Sequence, residues 1–147
     1  MTKKYLVVGG VAGGASCAAR LRRLDESAEI IVFEKGPHVS FSNCSLPYHV
    51  SKIVPHLENL ILMNPETFDN RFNIDVRVNQ EVISINRKEK YIEIKKLETD
   101  EIYQETYDKL ILSPGAKAVF PNFPGKDEID IFTIRNVIDI NHIMKFI

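Results

Sequence analysis

Cys44 is the side chain of this sequence best suited to redox chemistry. It sits in the polar run Ser40-Phe41-Ser42-Asn43-Cys44-Ser45-Leu46-Pro47-Tyr48. A glycine-rich run, Gly9-Gly10-Val11-Ala12-Gly13-Gly14, lies upstream. Glycines there let the backbone turn tightly and approach a pyrophosphate, and free N–H groups at the start of a following helix hold its charge. A thiol one crossover away from such a loop points to exchange of electrons with a bound dinucleotide. Ser42 or Asn43 can cap a helix running from about Cys44 to Val50, with Pro47 tolerated in its first turn. Cys44 would then stand at a helix N-terminus, where the dipole favours thiolate over thiol. The same local residues also suit a buried, inert cysteine. Cys17, among small residues of an amphipathic stretch, reads as packing. His38, His49 and His56 lack ligand spacing with carboxylates or with each other, so no metal site is expected.

The elements that must position these groups follow from the apolar pattern. Tyr5-Leu6-Val7-Val8 is a continuous apolar run, as in a parallel strand buried on both faces. A helix is expected over Ala15–Leu24, where Ala15, Ala18, Leu21 and Leu24 recur at three- and four-residue spacing and Arg20, Arg22 and Arg23 point elsewhere. Ile30–Phe33 is a second buried strand that ends at Glu34. Strand, helix and strand make a β-α-β unit of about 30 residues. Gly9 and Gly14 occupy the first and last positions of G-x-G-x-x-G, and Val11 stands at the middle one. Glu34 follows Gly14 by 20 residues. A carboxylate there accepts hydrogen bonds from a ribose hydroxyl and repels a 2′-phosphate, which favours FAD or NAD over NADP. A glycine turn without a ligand is the plainer alternative.

Further on, Asn64-Pro65 reads as an N-cap and first helical residue of a helix to about Phe72. Residues 74–78 alternate like a half-exposed strand. Residues 81–86 and 91–95 read as a hairpin, and 101–105 as a third strand, giving an antiparallel meander over about 81–106. Lys109–Leu112 is a short buried strand stopped by Ser113-Pro114-Gly115-Ala116, and Pro121–Gly125 is a loop. Ile138–Ile147 has helical apolar spacing.

Composition limits the function classes. With 147 residues, 44% hydrophobic and 27% charged, the chain has room for one domain with a real core. The net charge of −1 gives no field that would gather nucleic acid or a membrane surface. The apolar run after Lys3-Lys4 is too short for an export signal, and Arg20, Arg22 and Arg23 follow it closely. Two cysteines make no disulfide framework, so a reducing, cytoplasmic setting is expected.

Taken together, these motifs resemble the FAD-dependent pyridine nucleotide-disulfide oxidoreductases. Within them they are most similar to the single-cysteine branch of coenzyme A-disulfide reductases, NADH oxidases and persulfide reductases. The carriers are Val7–Leu24, Phe33–Lys35, Ser40–Tyr48, Tyr107–Ala116 and Phe132–Ile140. The resemblance implies an α/β, Rossmann-like FAD-binding domain, a three-layer ββα arrangement with an inserted antiparallel meander. It implies that Gly9, Gly10, Val11, Ala12, Gly13, Gly14, Glu34 and Lys35 hold the FAD pyrophosphate and adenosine ribose. Val82 would meet the adenine through its backbone, and Ser113, Pro114 and Gly115 would lie beside the flavin. Cys44 would be the redox nucleophile, with Asn43 and Ser40 flanking the disulfide; Asn43 also counts among the cofactor contacts. Ser16, Arg20 and Arg23 would line a coenzyme A tail.

The implied reaction is reduction of coenzyme A disulfide or persulfide by NADH or NADPH. An NADH oxidase cycling Cys44 through sulfenic acid and a non-catalytic flavin-binding module are the alternatives. Two departures bear on the substrate. Phe72 stands where a phosphate-binding lysine is expected, and His49-Val50-Ser51-Lys52 follows Tyr48 where relatives carry an aromatic or aliphatic pair and glycine. Relatives also have a second dinucleotide fingerprint and a dimerisation domain. Residues 1–147 are therefore expected to be the N-terminal part of an FAD-binding domain, without the NADH-binding and dimerisation domains; the complete enzyme is expected to be a homodimer.

Overall fold

The computed structural model describes residues 2–147. Along the chain the elements are β1 (Lys4–Val8), α1 (Ala12–Leu24), β2 (Glu29–Phe33), a 3-10 turn (Asn43–Ser45), α2 (Leu46–Val50), a 3-10 turn (Leu57–Leu60), α3 (Pro65–Phe72), β3 (Asp75–Arg77), β4 (Gln80–Asn86), β5 (Tyr91–Lys96), β6 (Ile102–Thr106), β7 (Lys109–Leu112), a 3-10 turn (Lys126–Glu128) and α4 (Val137–Phe146). They form two compact units. One holds the chain up to Phe41 together with Ile61–Pro114, and the other holds Ser42–Leu60 together with Gly115–Ile147.

The first unit is built on a parallel sheet of order β3-β2-β1-β7, with a separate antiparallel meander of order β4-β5-β6. Strand alternation explains its layering. Val7, Ile30 and Val32 pack with Ala15 and Ala18 of α1, Phe68 of α3 and Ile74. Their neighbours Leu6, Ile31 and Phe33 point to the opposite face and pack with Ile92 and Ile94 of the meander. Helices, parallel sheet and meander thus form the expected three layers. A fully buried aliphatic or phenyl side chain contributes roughly 1.5–3 kcal/mol. The two-sided filling of β1 and β2 is therefore a large share of this unit's stability.

Asn64 caps α3 as expected, its Oδ1 accepting from the Thr67 N–H at 2.8 Å. A capping box of Asn136 and Asp139 opens α4. Two expectations are corrected. Helix α1 begins at Ala12 rather than Ala15, with Val11 at the N-cap and the Ala15 N–H donating to Val11 O at 3.0 Å. Glycine weakens a helix interior, but Gly13 and Gly14 fall in the first turn, where close approach governs the choice.

The second correction concerns Cys44. A continuous helix from Cys44 to Val50 does not form. A helix through this point needs an N–H from residue 47 to reach Asn43 O, and Pro47 has none. The Leu46 N–H donates to Asn43 O instead, making a 3-10 turn, and α2 starts only at Leu46. Neither Ser42 nor Ser45 caps through its side chain. Cys44 therefore lies in a single 3-10 turn and not at an α-helix N-terminus.

The three arginines of α1 are not equivalent. Arg20 and Arg23 are exposed, whereas Arg22 is buried. Its guanidinium donates to Phe72 O at 2.7 Å, Asn73 O at 2.6 Å, Glu26 O at 2.7 Å and Asp25 O at 3.3 Å. It satisfies orphan carbonyls at the ends of α1 and α3.

Charge is concentrated where the meander meets the parallel sheet. Glu105 accepts from Lys4 Nζ at 2.6 Å and from Arg77 Nη1 at 2.8 Å, and Arg77 also pairs with Asp75 at 2.8 Å. Burial works against the Glu105 charge, but the hydrogen bonds from Lys4 and Arg77 outweigh it and hold the carboxyl below the usual range. A carboxylate depressed in the folded state stabilises the fold above its ordinary value, about 4.3, and that contribution is lost as pH falls through the folded value. Glu105→Gln is expected to destabilise the chain by roughly 1–2 kcal/mol near neutral pH, because Lys4 and Arg77 lose a partly buried partner. It should also flatten the acid limb of a plot of thermal midpoint against pH. An acid limb as steep as the parent's would show that Glu105 does not carry it.

Candidate active site

The phosphate loop is defined by how closely its backbone packs. Gly9 has φ of +93° and donates from N to Phe33 O at 2.8 Å. A Cβ at Gly9 would lie 2.0 Å from Ser113 O, and one at Gly14 would lie 1.6 Å from Gly9 O. Only glycine fits either position. At Gly13 the nearest atom to an added Cβ is Ser113 Oγ at 3.3 Å, so this exposed glycine is not required by packing. The first intrahelical bond is made by Ala15, which leaves the amides of Ala12, Gly13 and Gly14 ahead of it without intrahelical acceptors. The loop therefore presents free N–H groups, a helix N-terminus and an open backbone, which together suit a pyrophosphate.

Glu34 is held from two sides. Its Oε2 accepts from Gly10 N and its Oε1 from Gly36 N, both at 2.8 Å. Each oxygen keeps a lone pair, so the carboxylate is fixed in direction and still able to receive ribose hydroxyls. Lys35 is exposed and pairs with Glu81 at 2.6 Å. Val82 lies in β4 beside an irregularity in its pairing with β5, between Val82 and Ser84. Ser113 continues β7, its N–H donating to Val8 O at 2.8 Å, and Pro114 follows it at the end of this unit. Ser40 is buried at φ +48°, its N–H donating to Gly10 O at 2.9 Å, so its backbone braces the phosphate loop. Ser16, Arg20 and Arg23 are exposed at i, i+4 and i+7 and so share one face of α1. Phe72 packs against the core and its carbonyl serves Arg22.

The second unit carries the thiol. Cys44 is exposed, with Ser42 Oγ 3.5 Å and Ser45 Oγ 4.0 Å from its Sγ. The Ser42 and Ser45 hydroxyls lower its thiol pKa, Ser42 more strongly, with burial opposing them and the Cys44 backbone N–H adding to them. Asn43 Nδ2 donates to Arg135 O at 3.3 Å. Arg135 Nε donates to Ala116 O at 2.9 Å, and a Cβ at Gly115 would lie 2.6 Å from Arg135 Nη2. Gly115 also has φ of +71°. Arg135 thus joins the Asn43 turn to the Gly115–Ala116 segment. Nothing in its local sequence marks it for this role. Cys17 is half-buried in α1.

These features define a dinucleotide-binding α/β protein with an accessible, acidified thiol. The family model for pyridine nucleotide-disulphide oxidoreductases matches residues 3–145, and the chain belongs to that family. The family binds FAD and uses NAD(P)H. Coenzyme A disulfide reductase of Staphylococcus haemolyticus is 44% identical over 145 residues, which is 99% of this chain and 32% of that protein. The crystal structure of reduced CoADR-RHD from Bacillus anthracis superposes with a TM-score of 0.95 at 50% identity, covering 99% of this chain and 26% of that one. The NAD-dependent persulfide reductase of A. fulgidus gives 0.91 at 30% identity, covering 97% and 26%. The chain spans about a third of the length of the curated relatives it matches. No helix among the described residues is long and apolar enough to cross a membrane.

Proposed function

We propose that this chain is the FAD-binding and thiol-bearing part of an NAD(P)H-dependent flavoprotein disulfide reductase acting on coenzyme A disulfide or persulfide. The observation that carries the reading is an exposed, acidified Cys44 in a chain whose glycine loop and Glu34 suit a dinucleotide. Gly9–Gly14 receive the FAD pyrophosphate on their backbone, and Glu34 receives the adenosine ribose. Ser113, Pro114 and Gly115 lie along the flavin, and Val82 and Lys35 bound the adenosine end. Arg20, Arg23 and Ser16 offer one cationic face to the phosphates of coenzyme A. Asn43 and Ser40 flank the disulfide.

Cys44 thiolate attacks one sulfur of the disulfide. A Cys44–coenzyme A disulfide forms, the original S–S bond breaks, and one coenzyme A thiolate leaves. Breaking the mixed disulfide takes two electrons and a proton, and it returns the Cys44 thiolate and releases the second coenzyme A as its thiol; FAD, when bound, would supply those electrons from NAD(P)H. The pyridine-nucleotide and dimerisation domains belong to polypeptide outside these 147 residues, in keeping with relatives about three times as long. The working form is a cytoplasmic homodimer without nucleic-acid or membrane partners.

The test is NADH or NADPH consumption by the complete polypeptide under argon, with coenzyme A disulfide as the only acceptor. Stoichiometric release of coenzyme A thiol is expected. Consumption that requires oxygen and ignores the disulfide would instead establish an oxidase, in which Cys44 passes through a sulfenic acid.

A further inference from the structure

The hydroxyls around Cys44 form an ordered chain. Ser42 Oγ lies 3.5 Å from Cys44 Sγ and 2.8 Å from Ser45 Oγ, while Ser45 Oγ stands 4.0 Å from the sulfur. Each hydroxyl has one proton and can accept as well. A thiolate only accepts. The arrangement that serves it runs Ser45 O–H to Ser42 Oγ and Ser42 O–H to the sulfur, the reverse of the Ser42-to-Ser45 donation in the structure, and a turn of the two hydroxyls supplies it. With a neutral thiol the chain can run the other way, from S–H to Ser42 and on to Ser45. Hydrogen bonds to an ionised acceptor are roughly twice as strong as neutral ones, so the first direction is favoured and the thiolate with it.

We propose that Ser42 and Ser45 are positioning residues for Cys44, a two-hydroxyl relay in which Ser42 holds the thiolate and Ser45 acts through Ser42. The proposal rests on the reading of Cys44 as the attacking thiol. Ser42, whose hydroxyl is the nearer, is the larger of the two influences that lower the Cys44 thiol. Charged groups nearby do not substitute for the relay. Tyr48 and His49 on α2, Arg135 before α4, and Asp139, His142 and Lys145 on α4 are absent from the influences on the thiol. His49 Nδ1 is engaged with Val54 O at 2.7 Å, and Asp139 Oδ2 with the Arg135 N–H at 2.8 Å.

The experiment follows the reaction of Cys44 with dipyridyl disulfide across pH, in a Cys17→Ala background so that one thiol reports. Attack forms the mixed disulfide and releases pyridinethiolate, whose absorbance is read. Ser42→Ala is expected to raise the reaction midpoint by about one pH unit, a tenfold loss of thiolate below it. Nucleophilicity rises with thiol pKa at a slope of about 0.4–0.5. The variant should therefore be about threefold slower near neutral pH and about threefold faster on the alkaline plateau. A merely structural defect gives no such crossing. Ser45→Ala should shift the midpoint less, the double variant no more than Ser42→Ala alone, and Ser42→Thr should restore the parent profile. Ser42→Gly serves as a second hydroxyl-free variant should the alanine variant melt early. Coincident profiles for the parent and the hydroxyl-free variants overturn the proposal, as does a Ser45→Ala shift undiminished in the Ser42→Ala background. Failure of the redox reading shows separately, as reductase turnover that survives loss of Cys44 while these profiles stand.

Discussion

Cys44→Ser eliminates coenzyme A disulfide reduction in the complete polypeptide, a loss on the order of a thousandfold or more, and leaves FAD bound. A serine hydroxyl at the same place stays protonated near neutral pH and cannot form a disulfide, so the covalent route closes. The fold has no reason to notice. Cys44 is exposed in a single 3-10 turn, and the side-chain partners of its Sγ are the hydroxyls of Ser42 and Ser45, which serine can equally engage. The flavin spectrum and the thermal midpoint should therefore match the parent's. Thiol release that continues at parental rate would remove Cys44 from the chemistry; the other cysteine of these 147 residues is half-buried Cys17.

Gly14→Ala and Gly13→Ala, one residue apart, should fail in different ways. Both substitutions improve helix propensity, by about 1 kcal/mol each. At Gly14 that gain is overwhelmed. The new methyl would sit 1.6 Å from Gly9 O, 2.8 Å from Gly9 C and 3.1 Å from Val7 Cγ1, and two of these are backbone atoms that cannot swing away. Either α1 moves off β1 or the loop opens; the expected cost is about 3 kcal/mol or more in urea unfolding, with FAD affinity lost alongside. At Gly13 the only close atoms belong to the Ser113 side chain, at 3.3 and 3.5 Å. Gly13→Ala should hold stability within about 1 kcal/mol of the parent. It should nonetheless weaken FAD binding at least about tenfold, because the methyl stands where backbone must meet the pyrophosphate. Unchanged FAD affinity in Gly13→Ala would mean that the ligand does not lie on this stretch of backbone.

Much of this was legible in the sequence because the relevant signals are local. Two short apolar runs gave the buried strands, and alternation gave the meander. Asn64-Pro65 marked the start of α3 through a cap that needs no tertiary partner. The glycine loop and Glu34 were legible from spacing alone. What stayed hidden depends on contacts made across the chain. Arg20, Arg22 and Arg23 look alike in sequence, yet only Arg22 meets four carbonyls, two of them at Phe72 and Asn73. Arg135 reaches Ala116 and Asn43 from far along the chain. The Cys44 turn departs from the helix that its sequence suggests for a local reason. Pro47 is harmless as an early residue of α2, but it forbids the bond that would carry a helix back through Cys44. The thiol is consequently acidified by neighbouring hydroxyls, where the sequence pointed to a helix dipole.

The most direct test of the account is a titration of the purified chain and of the complete polypeptide with FAD, read by visible absorption. A saturable, perturbed flavin band is expected in the complete polypeptide, weakened by Gly13→Ala and left intact by Cys44→Ser, with the same loop dependence wherever the 147-residue chain binds on its own. A flavin spectrum identical to free FAD at every concentration, in both proteins, would contradict it.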